Sequence, residues 1–471
     1  MLVTTACSGA TGVATTSTPS SIPEEPGTEP TLVSTTTTTT EPLPPIDVVS
    51  YSPNDSSPVA DLVVLRGDEY LFDPAAEVLG GSGALTFAWD FDGEPATVES
   101  DQMDPDPVTL VPGEYFPILT VTDEAGQLLV IELPRIVKIG DTPRPDWEFG
   151  VVAHLEEGHA EQGIVLYPSD AAVDQAFDLI VAAGIEGFRV DFGWPAIEWS
   201  KDTYNWGIVD GMVDRAEELG LEVIAVAGYS PQWVSSCPQA EGFRWAFCPP
   251  TSAAEYGEFI GDLAERYSGR LAAIQLWNEP NLSIFFETYD PADYFPLLRI
   301  GYLSAKYADP SVTVLMGPLA NGPEVTGLPG AEPQEFITDL YERGAALFSD
   351  AASLHPYTDP YHGVSTLITR VTDVREAMDA GGAADQLLWI TEYGYPTGFS
   401  FWSEQLMADW LKTSFDAMRS IDGIGPLVWY NLRDKGEEPS NETRLGLVNR
   451  DFTPKLTYHA YRDYIATAAE E

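Results

Sequence analysis

Hydrophobic and polar positions follow three different patterns along the chain. Residues 8–45 show no apolar period and are rich in Thr, Ser, Pro and Glu, so they bury too little apolar surface to offset the entropy lost on folding. From residue 46 to about 140, short apolar runs alternate with Gly, Pro and Asp clusters. Beyond the Pro-rich stretch Thr142–Asp146, strand-length runs alternate with amphipathic stretches. The pattern predicts a disordered tether over 1–45, an all-β domain over 46–141 and an α/β domain over 146–469.

The α/β portion carries eight strand-length apolar runs that alternate with eight helical patterns. This alternation is typical of parallel sheets, and eight repeats predict a (β/α)8 TIM barrel. A doubly wound open sheet is the alternative, but no Gly-rich phosphate turn follows the first run, which argues against a dinucleotide-binding form. The predicted strands are Phe149–His154, Gly187–Phe192, Glu222–Ala227, Ala272–Trp277, Val312–Met316, Ala351–His355, Leu388–Thr391 and Pro426–Tyr430. The predicted helices are Asp170–Ala183, Val209–Leu219, Ser252–Tyr267, Pro291–Tyr307, Pro333–Ala346, Ser365–Asp379, Glu404–Ser420 and Thr457–Ala466.

Two segments of the all-β portion, LTFAWDFDG (Leu85–Gly93) and VPGEYFPILTVTDEAG (Val111–Gly126), carry a recognisable pattern. They resemble the polycystic-kidney-disease (PKD) type of immunoglobulin-like domain, which has a Trp-Asp-Phe strand end and a Pro-Gly-Tyr approach to a Val-Thr-Asp strand. Here Glu114 interrupts the Pro-Gly-Tyr sequence. The resemblance implies a small immunoglobulin-like β-sandwich with Trp89 in its core and a spacer or adhesion role.

The chain carries 23 Lys and Arg residues against 74 Asp and Glu residues, a formal net charge of −51. Binding to nucleic acid or to an anionic membrane surface is not expected, because phosphate recognition needs clustered cations. Near the start, small residues precede Cys7 and a Ser/Gly/Thr-rich stretch follows it, which resembles the end of a bacterial lipoprotein signal. Two interpretations stay open: a lipidated Cys7 that tethers the protein to a membrane, or a plain free cysteine.

Polar and aromatic residues lie at the C-terminal ends of the predicted strands, which is where barrel enzymes carry their catalytic residues. The run AAIQLWNEPN (Ala272–Asn281) ends in Glu279, and Pro280 stops the strand because it lacks a backbone donor. A second glutamate, Glu392, ends strand seven in TEYGYPT (Thr391–Thr397). The other candidates at these ends are His154, Arg189, Asp191, Trp194, Tyr229, Asn278, Asn321, His355, Tyr357, Tyr393, Trp429 and Asn431.

Two glutamates in a pocket with aromatic side chains match the requirements of glycoside hydrolysis. One carboxyl acts first as acid and then as base, the other attacks the anomeric carbon, and their surroundings must set different pKa values. Asn278 is a candidate partner for the sugar 2-hydroxyl. Nothing at the strand ends resembles a metal cluster, so neither a metal nor a cofactor is predicted. Candidates for stacking on sugar rings are Trp194, Trp233, Trp402 and Trp429.

Residues 147–469 resemble the retaining (β/α)8 glycoside hydrolases of clan A that carry Asn-Glu after strand four and Glu after strand seven. The match is best to the family 39 and family 5 branch and rests on WNEPN (Trp277–Asn281), TEYGYPT and GFRVDFGWPAIEW…YNW (Gly187–Trp206). The resemblance implies that Glu279 is the acid/base and Glu392 the nucleophile, with carboxyl groups ~5–5.5 Å apart. It implies a substrate-binding set in which Asn278 bonds the sugar, Arg189, His355 and Tyr357 surround the nucleophile, Trp429 floors the subsite of the reacting sugar, and His154 and Trp194 line the pocket.

These observations predict a secreted or surface-anchored bacterial enzyme that hydrolyses an extracellular poly- or oligosaccharide with retention of configuration. Two alternatives remain open: a catalytically silent carbohydrate-binding or adhesion protein, and a transglycosylase with the same residues. The sequence specifies neither the sugar nor the oligomeric state. Cys237 and Cys248 lie close together in a predicted loop, where they form a disulfide in an exported protein or remain thiols in a reducing compartment. The aromatic residues between them are a candidate substrate wall.

Overall fold

The computed structural model describes the chain between residues 47 and 470, with gaps. The predicted tether with Cys7 lies outside the described residues, and so does Trp402. Up to residue 142 the description is confined mainly to strands, whereas it is nearly continuous from residue 144. The described ranges are 47–52, 63–65, 70–72, 75–79, 82–91, 100–102, 108–110, 112–132, 135–140, 142, 144–155, 160–161, 164–165, 167, 169–397, 403–436 and 443–470.

Eight parallel strands in the described residues form a closed barrel. They are β1 (Phe149–Val152), β2 (Gly187–Asp191), β3 (Glu222–Ala227), β4 (Ala273–Leu276), β5 (Thr313–Met316), β6 (Ala351–His355), β7 (Leu387–Tyr393) and β8 (Ile424–Trp429). Strands that follow each other along the chain are paired, β1 also pairs with β8, and a bridge between Leu315 and Ala351 joins β5 to β6. The predicted TIM barrel is therefore confirmed.

A helix follows each strand and covers the outside of the barrel. The eight helices of this layer in the described residues are α1 (Asp170–Ala182), α2 (Gly207–Leu219), α3 (Ala253–Arg266), α4 (Pro291–Ala308), α5 (Pro333–Glu342), α6 (Gly363–Ala380), α7 (Glu404–Arg419) and α8 (Leu456–Ala468). Side chains of Ser169, Ser252, Asp290 and Ser403 cap helices α1, α3, α4 and α7 by accepting a backbone N–H of the first turn. Among the residues described, we find no helix long and apolar enough to cross a membrane.

The core has two layers because successive residues of a strand face opposite sides of the sheet. One set faces the helices and forms the large outer core. The other set fills the barrel axis, where Trp147 and Trp389 meet edge to face with ring centroids 5.6 Å apart. The buried members of this inner cluster are Trp147, Val152, Ile224, Ala273, Leu315, Ala351, Trp389 and Val428. With the axis filled by apolar side chains, the C-terminal rim is where polar side chains can converge.

The described segments before residue 142 are mostly β-strands. Leu85–Asp90, Ile118–Asp123 and Leu128–Glu132 form an antiparallel sheet, in which Trp89 is fully buried, as predicted. The indole Nε1 of Trp89 donates to the carbonyl of Gln102 at 3.1 Å. The other described strands are Asp47–Ser52, Val63–Leu65, Tyr70–Phe72, Ala75–Leu79, Val108–Leu110, Gly113–Tyr115 and Ile136–Lys138. The PKD-like sandwich over 46–141 remains a prediction.

Candidate active site

The C-terminal rim of the barrel gathers polar side chains from four strands into one buried cluster. Arg189 of β2 and His355 of β6 are both buried, as are Asn278 and Glu279 after β4 and Glu392 near the end of β7. Strand alternation explains two of these positions. His355 shares its face with Ala351 of the inner core, and Arg189 faces inward because its neighbours Phe188 and Val190 belong to the outer core. The structure therefore brings together the central residues that the sequence predicted.

The chain leaves β4 through an unusual turn. Trp277 has φ 76° and Glu279 has φ 44°, in the left-handed region that residues other than glycine seldom adopt. The Trp277 ring is fully buried and packs edge to face against Tyr256 and Phe286, among residues of the outer core. The side chains of Asn278 and Glu279 consequently both reach the buried polar cluster, although the two residues are adjacent in the chain. Backbone strain of this kind is concentrated at functional sites.

Glu392 is held by two hydrogen-bond donors. Arg189 Nη1 donates to its Oε1 at 2.6 Å, and the Tyr357 hydroxyl donates to its Oε2 at 2.7 Å. Burial and the neighbouring carboxylate raise the pKa of Tyr357 well above its ordinary value, so the phenol keeps its proton. One oxygen of Glu392 thus faces a permanent cation and the other a neutral donor, an arrangement that suits an ionised carboxylate.

Arg189 also orients two amide side chains. Its Nε donates to Oε1 of Gln275 at 3.0 Å, and its Nη2 donates to Oδ1 of Asn278 at 2.7 Å. Because the carbonyl oxygen of Asn278 accepts from Arg189, the amide nitrogen is left as the donor of that side chain. Asn278 is thereby set to donate to a ligand hydroxyl beside Glu279.

Glu279 lies in a different environment. Its Oε1 is 2.7 Å from Nδ1 of His355, and Nε2 of His355 is 3.1 Å from Oγ1 of Thr391. Burial raises the pKa of Glu279 above its ordinary value, and the bond to His355 offsets part of the rise. Burial lowers the pKa of His355 to about 4, so the imidazole is neutral at neutral pH. A neutral imidazole can donate to the ionised carboxylate or accept from the protonated acid, so the pair accommodates both states of Glu279.

The two glutamates are close enough to act on one bond. Single ligand atoms of Glu279, His355 and Glu392 all lie within 4.8 Å of one another. Retaining glycosidases hold their carboxyl groups ~5–5.5 Å apart, whereas inverting enzymes leave room for a water at ~6.5–9.5 Å. One oxygen of Glu279 and one of Glu392 within 4.8 Å suit the shorter of these two separations, and thus direct attack by a carboxylate.

The same three side chains offer donor atoms of the kind that bind divalent metals. The guanidinium of Arg189, however, is 2.6 Å from Glu392 and would repel a second cation at that carboxylate. The arrangement thus suits acid–base and nucleophilic chemistry better than metal binding.

Two tryptophans that were predicted to contact the sugar are buried in the core. Trp429 is 1% exposed and packs against Tyr393 and Phe415 in the helix-facing layer. Trp194 is 0% exposed and stacks on Phe259 with ring centroids 5.5 Å apart. Neither ring is accessible to a sugar, so their assignment to substrate binding was wrong.

Tyr430, the residue that follows β8, takes the position that was predicted for Trp429. Val428 belongs to the inner core and Trp429 to the outer core, so Tyr430 faces inward again and packs partly buried against the inner cluster. Its ring is 6.3 Å from that of Tyr357 and 6.1 Å from that of His154, in both cases edge to face. Tyr430 is therefore the aromatic side chain that β8 presents to the site.

The remaining predicted residues are accounted for as follows. His154 is buried at the rim, with Nδ1 3.6 Å from the Asp191 carboxylate, which places it beside the cluster. Trp233 packs edge to face on Trp194, with ring centroids 5.9 Å apart. Cys237 and Cys248 are joined in a disulfide, with Cα atoms 6.0 Å apart.

Sequence reasoning missed three residues of the site. Gln275 was visible as the single polar residue in an apolar strand, and Thr391 as the residue before Glu392. Tyr430 was overlooked because residue type, rather than the alternation along β8, guided the choice of Trp429. Counting alternate residues from Val428 would have identified it.

Comparison with known proteins gives distant relatives. No protein-family model matches the chain. A β-xylosidase of Geobacillus stearothermophilus is 29% identical over 171 residues, which are 34% of this chain and 31% of the relative. A β-xylosidase of Caldicellulosiruptor saccharolyticus is 25% identical over 114 residues, 22% of this chain and 23% of the relative. The chain thus spans less than a third of the length of these curated relatives.

Solved structures are similar over a larger share of the chain. A family 39 glycoside hydrolase from Bacteroides cellulosilyticus has a TM-score of 0.54 at 21% identity, covering 89% of this chain and 83% of its own. A family 39 β-xylosidase from Caulobacter crescentus scores 0.52 at 19% identity, covering 70% and 73%. A family 5 enzyme from Streptomyces cattleya, solved with GlcNAc, scores 0.54 at 17% identity, covering 70% and 81%. The chain shares the barrel fold of these glycoside hydrolases.

Proposed function

We propose that this protein is a retaining O-glycoside hydrolase that cleaves poly- or oligosaccharides by double displacement. The observation that carries the proposal is the pair of buried glutamates in contrasting surroundings, with one carboxylate oxygen of each within 4.8 Å of the other. Glu392 accepts from a guanidinium and a phenol, whereas burial raises the pKa of Glu279. This is the asymmetry that an ionised nucleophile and a protonated acid require.

In the first step, Glu279 gives its proton to the glycosidic oxygen while Glu392 attacks the anomeric carbon. The bond to the leaving sugar breaks, and its electron pair takes up the proton of Glu279. A covalent glycosyl ester forms on Glu392, whose negative charge is consumed. Arg189 and Tyr357 fix the carboxylate for this attack, so little reorganisation is needed at the moment of reaction.

In the second step, Glu279 acts as base. It takes a proton from water, the water oxygen attacks the anomeric carbon, and Glu392 leaves as a carboxylate. His355 stays neutral throughout and keeps its bond to Glu279 in both protonation states. Two inversions at the same carbon give net retention.

Asn278 supplies binding energy specific to the transition state. Its amide nitrogen, directed by the bond from Arg189, is assigned to the 2-hydroxyl of the reacting sugar, a contact that strengthens as charge develops on the ring. Tyr430, rather than Trp429, is assigned to pack against the ring of the reacting sugar. His154 lies beside Tyr430 and Asp191 lies beside His154, and both are assigned to other hydroxyls of the same sugar.

The substrate class follows from charge and from the relatives. With a formal net charge of −51, the protein repels anionic polymers, so neutral sugars are favoured. Two of the sequence relatives are named β-xylosidases, which makes β-linked xylose the first sugar to try. A transglycosylase would use the same residues, with a sugar hydroxyl in place of water.

The chain organisation suits an exported enzyme. A disulfide between Cys237 and Cys248 is expected to persist in an oxidising compartment. The Thr/Ser/Pro-rich segment over 1–45 is assigned to a tether, with lipidated Cys7 as its anchor, and residues 46–141 to a PKD-like spacer. The location proposed is the outer face of a bacterial cell or its surroundings.

Product stereochemistry tests the proposed mechanism. The purified protein is screened on para-nitrophenyl β-glycosides and on plant and bacterial polysaccharides, and the first product of the best substrate is followed by proton NMR. The anomer formed first should match the substrate. Inverted product would contradict the double displacement, and absence of turnover on the whole panel would favour a silent binding protein.

A further inference from the structure

The loop from Cys237 to Cys248 follows β3 at the rim that carries the glutamates. It contains Phe243, Trp245 and Phe247, and we call it the aromatic loop. Phe243 is 55% exposed although its side chain is wholly apolar, and Trp245 is partly exposed beside it, with ring centroids 4.8 Å apart. The proposed catalytic steps assign no role to this pair of exposed rings.

The aromatic loop is braced at both ends and in the middle. The disulfide closes it, Ser235 Oγ donates to the carbonyl of Trp245 at 2.7 Å, and the backbone N–H of Ser230 donates to the carbonyl of Ala246 at 2.8 Å. The N–H of Glu287, in the loop after β4, donates to the carbonyl of Phe247 at 2.8 Å. A surface ordered in this way loses little conformational entropy when a ligand binds.

A chain of ring contacts connects the aromatic loop to the glutamates. Phe243 lies 6.1 Å from Phe247, and Phe247 lies 5.4 Å from Tyr229, measured between ring centroids. Tyr229 is the second residue after β3, and its phenol interacts electrostatically with Asp191, Glu279 and Glu392. The exposed rings are thus two ring contacts from a side chain of the candidate active site.

We propose that the aromatic loop forms a distal sugar subsite, on which a unit further along the substrate chain stacks against Phe243 and Trp245. The proposal rests on the glycosidase function and makes it more specific, because it requires an oligo- or polysaccharide substrate rather than a single sugar on a small aglycone. Continuity with the active site through Tyr229 favours a saccharide over a protein partner.

The chemistry of the aromatic loop fits a sugar ring. A pyranose has an apolar face that packs on an aromatic ring and hydroxyls at its rim that need polar partners. Exposed Glu241 and Arg244 flank Phe243 and provide an acceptor and a donor within the same loop. Two rings with polar neighbours match one or two sugar units better than a large apolar interface.

Paired substrates of different length test the subsite. Phe243→Ala is compared with the wild type on para-nitrophenyl β-xyloside, β-glucoside and β-mannoside and on the matching xylotrioside, cellotrioside and mannotrioside. For the preferred sugar, the ratio of kcat/KM on the trioside to kcat/KM on the monoglycoside should fall about tenfold, the loss expected for one aromatic contact. The control is Phe116→Ala, which removes a ring that is 49% exposed among the N-terminal strands and should leave the ratio unchanged. An unchanged ratio in Phe243→Ala would contradict the subsite.

A binding measurement separates failure of the subsite from failure of the enzyme function. Xylotetraose, cellotetraose and mannotetraose are titrated calorimetrically into Glu279→Gln, with and without Phe243→Ala. A tetrasaccharide that binds the first protein about tenfold more tightly than the second supports the subsite even if no turnover is seen. Equal binding, or no binding of any of the three, contradicts it. Sedimentation velocity adds a further check, since a wild-type dimer that Phe243→Ala converts to a monomer would assign the ring to self-association instead.

Discussion

The ends of β4 and β7 carry the same residue type in contrasting surroundings. Glu392 near the end of β7 receives hydrogen bonds from a guanidinium and a phenol, one on each oxygen. Glu279 follows β4 through a left-handed turn and meets a neutral imidazole, while burial raises its pKa. The surroundings of each glutamate are thus set by side chains from other strands, chiefly Arg189 of β2 and His355 of β6, rather than by its own motif.

The largest expected effect is a different dependence of the two glutamates on the leaving group. Glu392→Gln should lower kcat/KM by about 10⁴-fold or more on every aryl glycoside, because it removes the proposed nucleophile. Glu279→Gln should lower it about 10²- to 10⁴-fold on a substrate with a sugar leaving group but much less on a dinitrophenyl glycoside, which leaves without a proton. The exposed Glu287→Gln serves as the control. Equal losses on both substrates for Glu279→Gln would remove the distinction between the two sites.

A smaller effect tests the hydroxyl of Tyr357, which donates to Glu392 near the end of β7. Tyr357→Phe deletes the donor to Oε2 of Glu392 and should lower kcat about 10- to 100-fold, the cost of losing one hydrogen bond to a charged group. The matched control is Tyr395→Phe, whose hydroxyl donates to Asp359 at 3.0 Å instead. If both variants keep wild-type kcat, the phenol does not hold the nucleophile.

The neighbours Trp429 and Tyr430 should respond in opposite ways. Trp429→Ala empties a buried site and should lower the free energy of unfolding by about 3–5 kcal/mol. Tyr430→Ala removes a partly exposed ring and should lower kcat/KM about tenfold with a much smaller loss of stability. Chemical denaturation and steady-state kinetics on both variants measure the two effects. A stable Trp429→Ala protein with high KM would restore Trp429 as the sugar floor.

The smallest expected effect is a shift in the pH dependence of kcat/KM, which depends on the pKa of Glu279 after β4. Step one needs protonated Glu279, so activity falls as pH rises through the pKa of that carboxyl, which burial has raised. The bond from His355 favours the ionised form of Glu279, so His355→Phe should raise its pKa further and move the basic limb of kcat/KM to higher pH. Thermal unfolding confirms that the variant is folded. A basic limb that moves to lower pH, or not at all, would show that His355 does not bond ionised Glu279.

The barrel was predicted well because the apolar runs of its strands and the amphipathic pattern of its helices are both strong. Most residues of each strand are apolar, and amphipathic helical stretches separate the strands, so all eight strands were assigned within a few residues of their bounds. The two glutamates followed from their place at strand ends. The hydrogen bonds of Arg189 to Glu392, Asn278 and Gln275 join residues 86 to 203 positions apart and became visible only in three dimensions.

The aromatic residues show where prediction from residue type fails. Trp194 follows β2 but lies in a short helix, Trp194–Ile197, that turns its ring back into the outer core. Trp429 and Tyr430 differ by one position, which decides between the helix layer and the barrel axis. In both cases local geometry, not the chemistry of the ring, determines access to the site.

The most direct test of the proposed mechanism is to identify the atom that attacks the sugar. The protein is incubated with an activated fluoro-sugar glycoside of its preferred substrate, whose intermediate hydrolyses slowly, and intact mass and peptide mapping are recorded. One added glycosyl group per chain is expected, carried by Glu392 and absent in Glu392→Gln, while Glu279→Gln should still accumulate it. A label on any other residue, or turnover of the preferred substrate without a trapped intermediate, would contradict the assignment of Glu392 as the nucleophile.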